Sequence, residues 1–132
     1  MLPLLSLCLA AQIAFPMSST QHRNLCKWEA DIVRESSKNN IEPELLAALI
    51  YVESAYWPSS VSYANACGLT QVVPKWTGGK ETRGIKYTCE QLKNPRTAIK
   101  VGAQESFHTI LECMRKVIQT KACASTTPAL SV

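Results

Sequence analysis

The feature that most constrains the fold of this chain is a long apolar run that follows Glu42-Pro43-Glu44 and ends at Glu53. Proline is tolerated in a first helical turn, where its missing N–H has no partner to lose, and the helix dipole favours acidic residues there. Residues 45–52 are all apolar or aromatic, and no helix breaker occurs before Pro58. A helix that is apolar on all sides is buried. The sequence therefore predicts a buried central helix with a carboxylate at its end.

Glu53 is the candidate for chemistry on this helix. Its position places it on the same side as Leu46, Leu49 and Ile50, so its carboxyl group is expected to be partly buried. Burial favours the protonated form of a carboxyl group, and a general acid must carry a proton. The alternative is that Glu53 marks the point where the helix leaves the core and points to water. The helix by itself supports both interpretations.

Two further helices and one irregular segment complete the expected fold. Apolar residues at helical spacing predict a helix over residues 24–39, after the polar break and possible N-cap at Ser18-Ser19-Thr20. Asn94-Pro95 opens another helix, expected to run from about residue 96 to about residue 120. Residues 61–89 are rich in Gly, Ser, Thr and Val, which predicts a loop with a short hairpin. The chain is thus expected to form one mainly α domain. A small extended insertion makes the fold formally α+β.

The first segment, residues 1–19, is an apolar leader, and residues 20–132 are expected to form the domain. The apolar run resembles a secretory signal more than a membrane span, which needs about 20 apolar residues. The lack of Lys or Arg before the run and the early Pro3 count against a plain signal peptide. A retained anchor and a helix packed on a partner protein remain alternatives.

The chain contains six cysteines, more than cytosolic proteins of this size usually carry. Their spacing does not give paired CxxC motifs, so disulfides in an oxidising compartment are expected rather than structural zinc. If Cys8 belongs to the leader, five cysteines remain in the domain. Because five is odd, one of their thiols would have no partner within the domain. Spacing alone leaves the connectivity open, and a Cys67–Cys89 pair is our expectation.

Charge and motif composition argue against several functional classes. The formal net charge is +4, and the basic residues are scattered rather than clustered on one helix, so nucleic-acid binding is not expected. His22 and His108 lie far apart in the sequence, and neither belongs to a recognisable metal-ligand or catalytic pattern. Gly78-Gly79-Lys80 lacks the spacing of a phosphate-binding loop. The sequence therefore predicts no metal and no cofactor.

Three motifs occur in a fixed order: Glu53-Ser54, then Gly68-Leu69-Thr70-Gln71, then Asn94-Pro95 with Ile99-Lys100-Val101-Gly102-Ala103. In order and spacing they resemble the lytic transglycosylases of soluble type (SLT domain), which belong to the lysozyme superfamily. Threonine replaces the methionine of the family's usual Gly-Leu-Met-Gln. The resemblance covers about residues 40–105, and the contexts of Cys67 and Cys89 look most similar to phage-borne members.

The resemblance implies cleavage of the β-1,4 bond between N-acetylmuramic acid and N-acetylglucosamine in peptidoglycan, with a 1,6-anhydromuramoyl product. Glu53 would be the only acid/base. The scarcity of acids is consistent with this scheme: Asp31 is the only aspartate, and none of the residues between Glu53 and Glu81 is acidic. A two-carboxylate hydrolase would need a second acid beside the bond. Glu81, Glu90 and Glu105 stay open as such partners.

The resemblance also implies substrate-binding roles for Ser54, Gly68, Gln71 and Tyr63. Each has an ordinary structural alternative: a local cap for Ser54, a turn glycine for Gly68, a polar loop residue for Gln71. Tyr63, with Tyr56 and Trp57, could stack on sugar faces, although aromatic residues beside a buried helix often belong to the core.

A further motif of the family, Ala-Tyr-Asn-Ala-Gly, is not found, and residues 129–132 resemble the residues that precede it in the family. A domain that lacks this motif is therefore expected. The rival functions are a hydrolytic muramidase of the same superfamily and an inactive wall-binding or structural component of a virion or secretion machine. In each case peptidoglycan is the expected partner and the location is extracytoplasmic, with a virion or an envelope-spanning complex as the wider setting.

Overall fold

The structure is a computed structural model, which describes residues 6–14 and 16–105. Within that part the chain is mainly helical, and its extended pairing is limited to antiparallel bridges from Cys67 to Val61 and to Val72. This confirms the expected mainly α fold with a small extended insertion. The helices are α1 (Leu7–Ala14), α2 (Ser19–Lys38), α3 (Pro43–Ser54), α4 (Cys89–Leu92) and α5 (residues 95–105), with a 3-10 helix at Pro74–Trp76. The predicted continuation of α5 to about residue 120 and the C-terminal residues lie outside the described residues.

Helix α2 begins earlier than its apolar spacing indicates, because a capping box fixes its start. The backbone N–H of Gln21 donates to Ser18 Oγ (3.2 Å), and the backbone N–H of Ser18 donates to Gln21 Oε1 (2.9 Å). The helix ends at Lys38, with Asn39 as its C-cap. Ser18 is therefore the N-cap that the polar break indicated.

Helix α3 has the predicted bounds, but its burial is one-sided. Leu46, Ala47 and Ile50 are buried, whereas Leu45 and Val52 are 43% and 55% exposed. Helices α1 and α3 both pack on α2. The main core joins these helices to the loop and to α5; it contains Leu7, Leu25, Trp28, Ile32, Ile41, Leu46, Ala47, Ile50, Tyr56, Leu69, Ala98, Ile99 and Ala103.

Two disulfides occur in the described part of the chain. Cys67 pairs with Cys89, as expected. Cys8 pairs with Cys26, so it was wrong to leave Cys8 out of the cysteines considered for disulfide pairing. The reason is that α1 folds against α2 and contributes Leu7 to the core. None of the described helices combines the length and the apolar character that crossing a membrane would require.

Asp31 and Glu35 on α2 are buried carboxylates held by basic side chains. Arg34 binds both of them, Arg96 of α5 approaches Asp31 to 3.6 Å, and Lys38 approaches Glu35 to 3.9 Å. Buried carboxylates are tolerated when they are paired in this way. Three of these ion pairs lie within α2, and the one between Arg96 and Asp31 connects α2 to α5, which gives the single aspartate of the chain a structural role.

Candidate active site

Glu53 lies in the last turn of α3, where its side chain is half-buried and its Oε2 atom is buried. The helix ends directly after it, because Ala55 and Tyr56 both adopt left-handed backbone conformations, with φ of 52° and 65°. The N–H of Ala55 still donates to the carbonyl of Tyr51 (3.0 Å). The carboxylate is therefore placed at the junction between the core and the following turn.

Tyr56 anchors this turn. Its ring is fully buried, its hydroxyl donates to the carbonyl of Ala47 (2.8 Å), and its own carbonyl accepts from Asn24 Nδ2 of α2 (2.9 Å). Burial raises the pKa of the Tyr56 hydroxyl well above its ordinary value. Tyr56 is thus a core residue, and its buried ring is not exposed for stacking on a sugar. The sequence contains no signal for the role of Asn24.

The raised pKa of Tyr56 predicts a specific dependence of stability on pH. The folded state favours the neutral phenol of Tyr56. The hydroxyl therefore makes its full contribution to the free energy of unfolding below the pKa of tyrosine in the unfolded chain, about 10, and this contribution is lost as the pH rises above that value. At neutral pH Tyr56→Phe should lower the free energy of unfolding by about 1 kcal/mol, since one buried hydrogen bond is lost. In urea titrations this gap should narrow above about pH 10. A gap that stays constant would contradict the assignment.

Ser54 is buried, and its hydroxyl donates to the carbonyl of Ile50 within the same helix (3.2 Å). This is the local helix-end bond that was the alternative to a substrate contact. The geometry gives the hydroxyl a role in closing α3 beside Glu53.

Gly68 and Gln71 lie in the loop of residues 61–89, and both bind the carbonyl oxygen of Ser60. Gly68 N (2.8 Å) and Gln71 Nε2 (3.0 Å) both donate to the carbonyl of Ser60, and Gln71 Nε2 also donates to the carbonyl of Gly68 (2.9 Å). Gln71 is buried and has a left-handed φ of 52°, a strained conformation for a residue other than glycine. Its amide nitrogen is committed to the loop, which leaves Oε1 as the atom able to accept from a ligand.

Gly68 is required by packing. Its φ is +83°, and a Cβ atom at this position would lie 2.0 Å from the carbonyl oxygen of Leu92 and 3.3 Å from Ala98 Cβ. The loop therefore approaches the end of α4 and the start of α5 at backbone distance. This contact explains the glycine without any contact to sugar.

Thr70, which replaces the family's methionine, fastens the loop to α5. Its hydroxyl donates to the carbonyl of Ala98 (2.7 Å), and its side chain lies directly over Gly102, where a Cβ atom would be 2.3–2.4 Å away. Thr70 and Gly102 therefore form a matched pair. The sequence motifs contain both residues but do not indicate that they touch.

Gly102→Ala tests this pair. Alanine normally stabilises a helix interior by about 1 kcal/mol relative to glycine, but here overpacking against buried Thr70 should cost about 1–3 kcal/mol and dominate. We expect a lower urea midpoint for Gly102→Ala. In a Thr70→Gly background the same substitution should no longer destabilise. Equal effects of Gly102→Ala in both backgrounds would show that residue 102 does not lie against the Thr70 side chain.

Three aromatic side chains of the loop region are exposed. Tyr63 is 72% exposed, Trp57 51% and Trp76 58%. Tyr63 and Trp57 thus have the exposure that stacking on a sugar would require. Trp76, in the 3-10 helix, belongs to the same exposed set, and its position after Pro74 gave no indication of this in the sequence.

The three acids that could serve as a second carboxylate differ in how exposed their side chains are. Glu81 and Glu90 are exposed, and Glu90 pairs with Lys93 Nζ (2.9 Å). Glu105 on α5 is half-buried, with a buried Oε1 atom. Among the three acids left open by the sequence, Glu105 is the one that shares partial burial with Glu53.

The helical core and the Gly68–Gln71 loop define a domain of the lysozyme-like class. The family model for the transglycosylase SLT domain matches residues 32–120, more than half of the chain. The chain belongs to the transglycosylase SLT domain family.

Curated relatives support the same assignment. The chain is 35% identical over 104 residues to the membrane-bound lytic murein transglycosylase C of Glaesserella parasuis serovar 5 (strain SH0165), which covers 75% of this chain and 28% of that protein. It is 52% identical over 48 residues to the protein of the same name from Actinobacillus pleuropneumoniae serotype 5b (strain L20), covering 36% of this chain and 13% of the relative. The chain therefore spans less than a third of the length of these relatives.

Proposed function

We propose that this chain is a lytic transglycosylase that cleaves the glycan strands of peptidoglycan outside the cytoplasm. The observation that carries the proposal is the position of Glu53, a half-buried carboxylate at the end of α3, in the family's Glu-Ser motif. The name of the relatives, lytic murein transglycosylase, supports the same reaction. The two disulfides are consistent with an oxidising compartment.

In this scheme Glu53 first protonates the glycosidic oxygen between N-acetylmuramic acid and N-acetylglucosamine. The N-acetyl carbonyl of the substrate stabilises the oxocarbenium-like centre that forms as the bond breaks. Glu53 then takes the proton of the C6 hydroxyl, whose oxygen closes onto the anomeric carbon. The carboxylate is regenerated as the acid, and no water is consumed.

Gln71, Gly68, Ser54 and Tyr63 have supporting roles in this proposal. Gln71 Oε1 would accept from an amide N–H of the sugar, because its amide nitrogen is already committed to the loop. Gly68 sets the path of the loop, and Ser54 closes the helix beside Glu53. The exposed ring of Tyr63 would stack on a sugar face.

Product analysis separates this proposal from the hydrolytic muramidase. Purified full-length chain is incubated with peptidoglycan, and the new glycan ends are identified by mass spectrometry. The proposal predicts 1,6-anhydromuramoyl ends, which carry one water less than reducing ends. Reducing ends would overturn it in favour of hydrolysis. In that case Glu105→Gln should abolish activity as well, whereas a one-carboxylate enzyme keeps it.

The wider setting that we propose is a phage particle, on the basis of the cysteine contexts at Cys67 and Cys89, and an envelope-spanning machine is the alternative setting. Co-sedimentation of the chain with purified virions or envelope complexes tests this setting. Recovery of the chain only in the unassembled fraction would contradict it.

A further inference from the structure

A second group of reactive side chains lies between α1 and α2. His22 and Cys26 are four residues apart on α2 and therefore share one helix face. His22 Nε2 lies 3.7 Å from Cys8 Sγ and 3.6 Å from Cys26 Sγ. All three residues are half-buried, so the group is accessible from solvent. In the structure the two cysteines form a disulfide.

We propose that, once this disulfide is reduced, Cys8, His22 and Cys26 bind one zinc ion, which then fastens α1 to α2 in place of the S–S bond. In a tetrahedral site with Zn–S of about 2.3 Å and Zn–N of about 2.0 Å, neighbouring sulfur and nitrogen ligands lie about 3.6 Å apart. Both N···S distances agree with this value. Two thiolates and an imidazole are a ligand set that suits zinc.

Cys8 is also held near α2 by contacts that do not depend on the disulfide. Its backbone N–H donates to Glu29 Oε2 (3.0 Å), and its carbonyl accepts from His22 Nε2 (2.9 Å), a bond that is given up when zinc binds Nε2. Glu29 follows Cys26 on the same face of α2. Reduction therefore leaves the Cys8 sulfur within reach of the other two ligand atoms.

The exchange balances as two steps. A dithiol or phosphine reductant supplies two electrons, and the S–S bond opens to two thiols. A dithiol gives its two protons to the thiols and becomes a disulfide, whereas with a phosphine one water molecule supplies the two thiol protons and the oxygen of the phosphine oxide. Zinc then binds both sulfurs and His22 Nε2, and the two thiol protons pass to solvent. The proton of the imidazole moves to Nδ1, and water completes the fourth position, as in zinc sites with three protein ligands. The disulfide and the zinc site exclude each other.

The test uses the full chain with Cys113→Ser and Cys123→Ser, since these cysteines lie outside the described residues. After phosphine reduction and removal of the reductant, the chain is titrated with cobalt(II) and then zinc(II). We expect one metal per chain, with a thiolate-to-cobalt charge-transfer band. The oxidised chain should bind none. Adding Cys67→Ser and Cys89→Ser should leave the stoichiometry unchanged.

His22→Gln and Cys8→Ser should each weaken zinc binding by at least about 100-fold, because loss of a direct ligand exceeds the 10–100-fold effect of outer partners. Zinc should also raise the melting temperature of the reduced parent and not that of Cys8→Ser, provided circular dichroism shows both folded. Failure of the reduced parent to bind zinc, or equal affinity in His22→Gln, would overturn the proposal. Activity on peptidoglycan plays no part in this test.

Discussion

Glu53→Gln is expected to reduce the rate of peptidoglycan cleavage by about 10²–10⁴-fold, the range that general acid–base catalysis contributes. Glutamine has nearly the same shape as glutamate, but it can neither donate the proton to the glycosidic oxygen nor accept it from the C6 hydroxyl. The loss should appear in kcat, since the substrate contacts remain. Release of soluble fragments from purified peptidoglycan measures the rate.

Glu44→Gln is the matched control for this substitution. Glu44 is an exposed carboxylate in the first turn of the same helix, so its replacement removes a charge from α3 without touching the site. The control should keep its activity, and circular dichroism should show both variants folded at the assay temperature, so that a loss of activity in Glu53→Gln reports on catalysis. If Glu53→Gln clears the wall as well as the parent, Glu53 is not the acid. If neither does, the wall-binding alternative gains.

The part of the fold that the sequence predicted depends on local rules. The Glu42-Pro43-Glu44 start and the apolar run determine α3 within a few residues, and they also locate Glu53. The extended insertion was likewise predicted. The expected Cys67–Cys89 pair is present, although the spacing of the cysteines did not determine it. The start of α2 was missed because a capping box replaces the apolar spacing that defines the rest of the helix.

The part that could not be predicted consists of contacts between distant segments. The apolar character of the first residues indicated a leader, and nothing local indicated that Cys8 lies against His22 and Cys26. The spacing of His22 and Cys26 would allow both side chains to bind one metal ion. It indicates a metal site only when α1 is known to supply Cys8 as the third side chain. Similarly, the fit of Thr70 on Gly102 depends on how the loop packs on α5.

Gly68→Ala is expected to produce the largest loss of stability among single substitutions in the loop. The new methyl group would lie 2.0 Å from the Leu92 carbonyl oxygen, a backbone atom that no side-chain rotation can move away. Overpacking of this kind costs about 1–3 kcal/mol, and a left-handed backbone costs a residue other than glycine about 1–2 kcal/mol more. The free energy of unfolding in urea should therefore fall by about 2–5 kcal/mol, a large share of the 5–15 kcal/mol typical of a domain.

Gly84→Ala separates the two contributions. Gly84 has nearly the same conformation, with φ of +78° against +83°, but a Cβ atom there would meet nothing within 4 Å. Its substitution should cost only the backbone part, about 1–2 kcal/mol, and the excess in Gly68→Ala then measures the contact with Leu92. Because that contact fixes the loop which carries Gln71, Gly68→Ala should also lower activity below its unfolding temperature, while Gly84→Ala should not. Equal losses of stability in the two variants would mean that the loop does not approach α4 as closely as the structure shows.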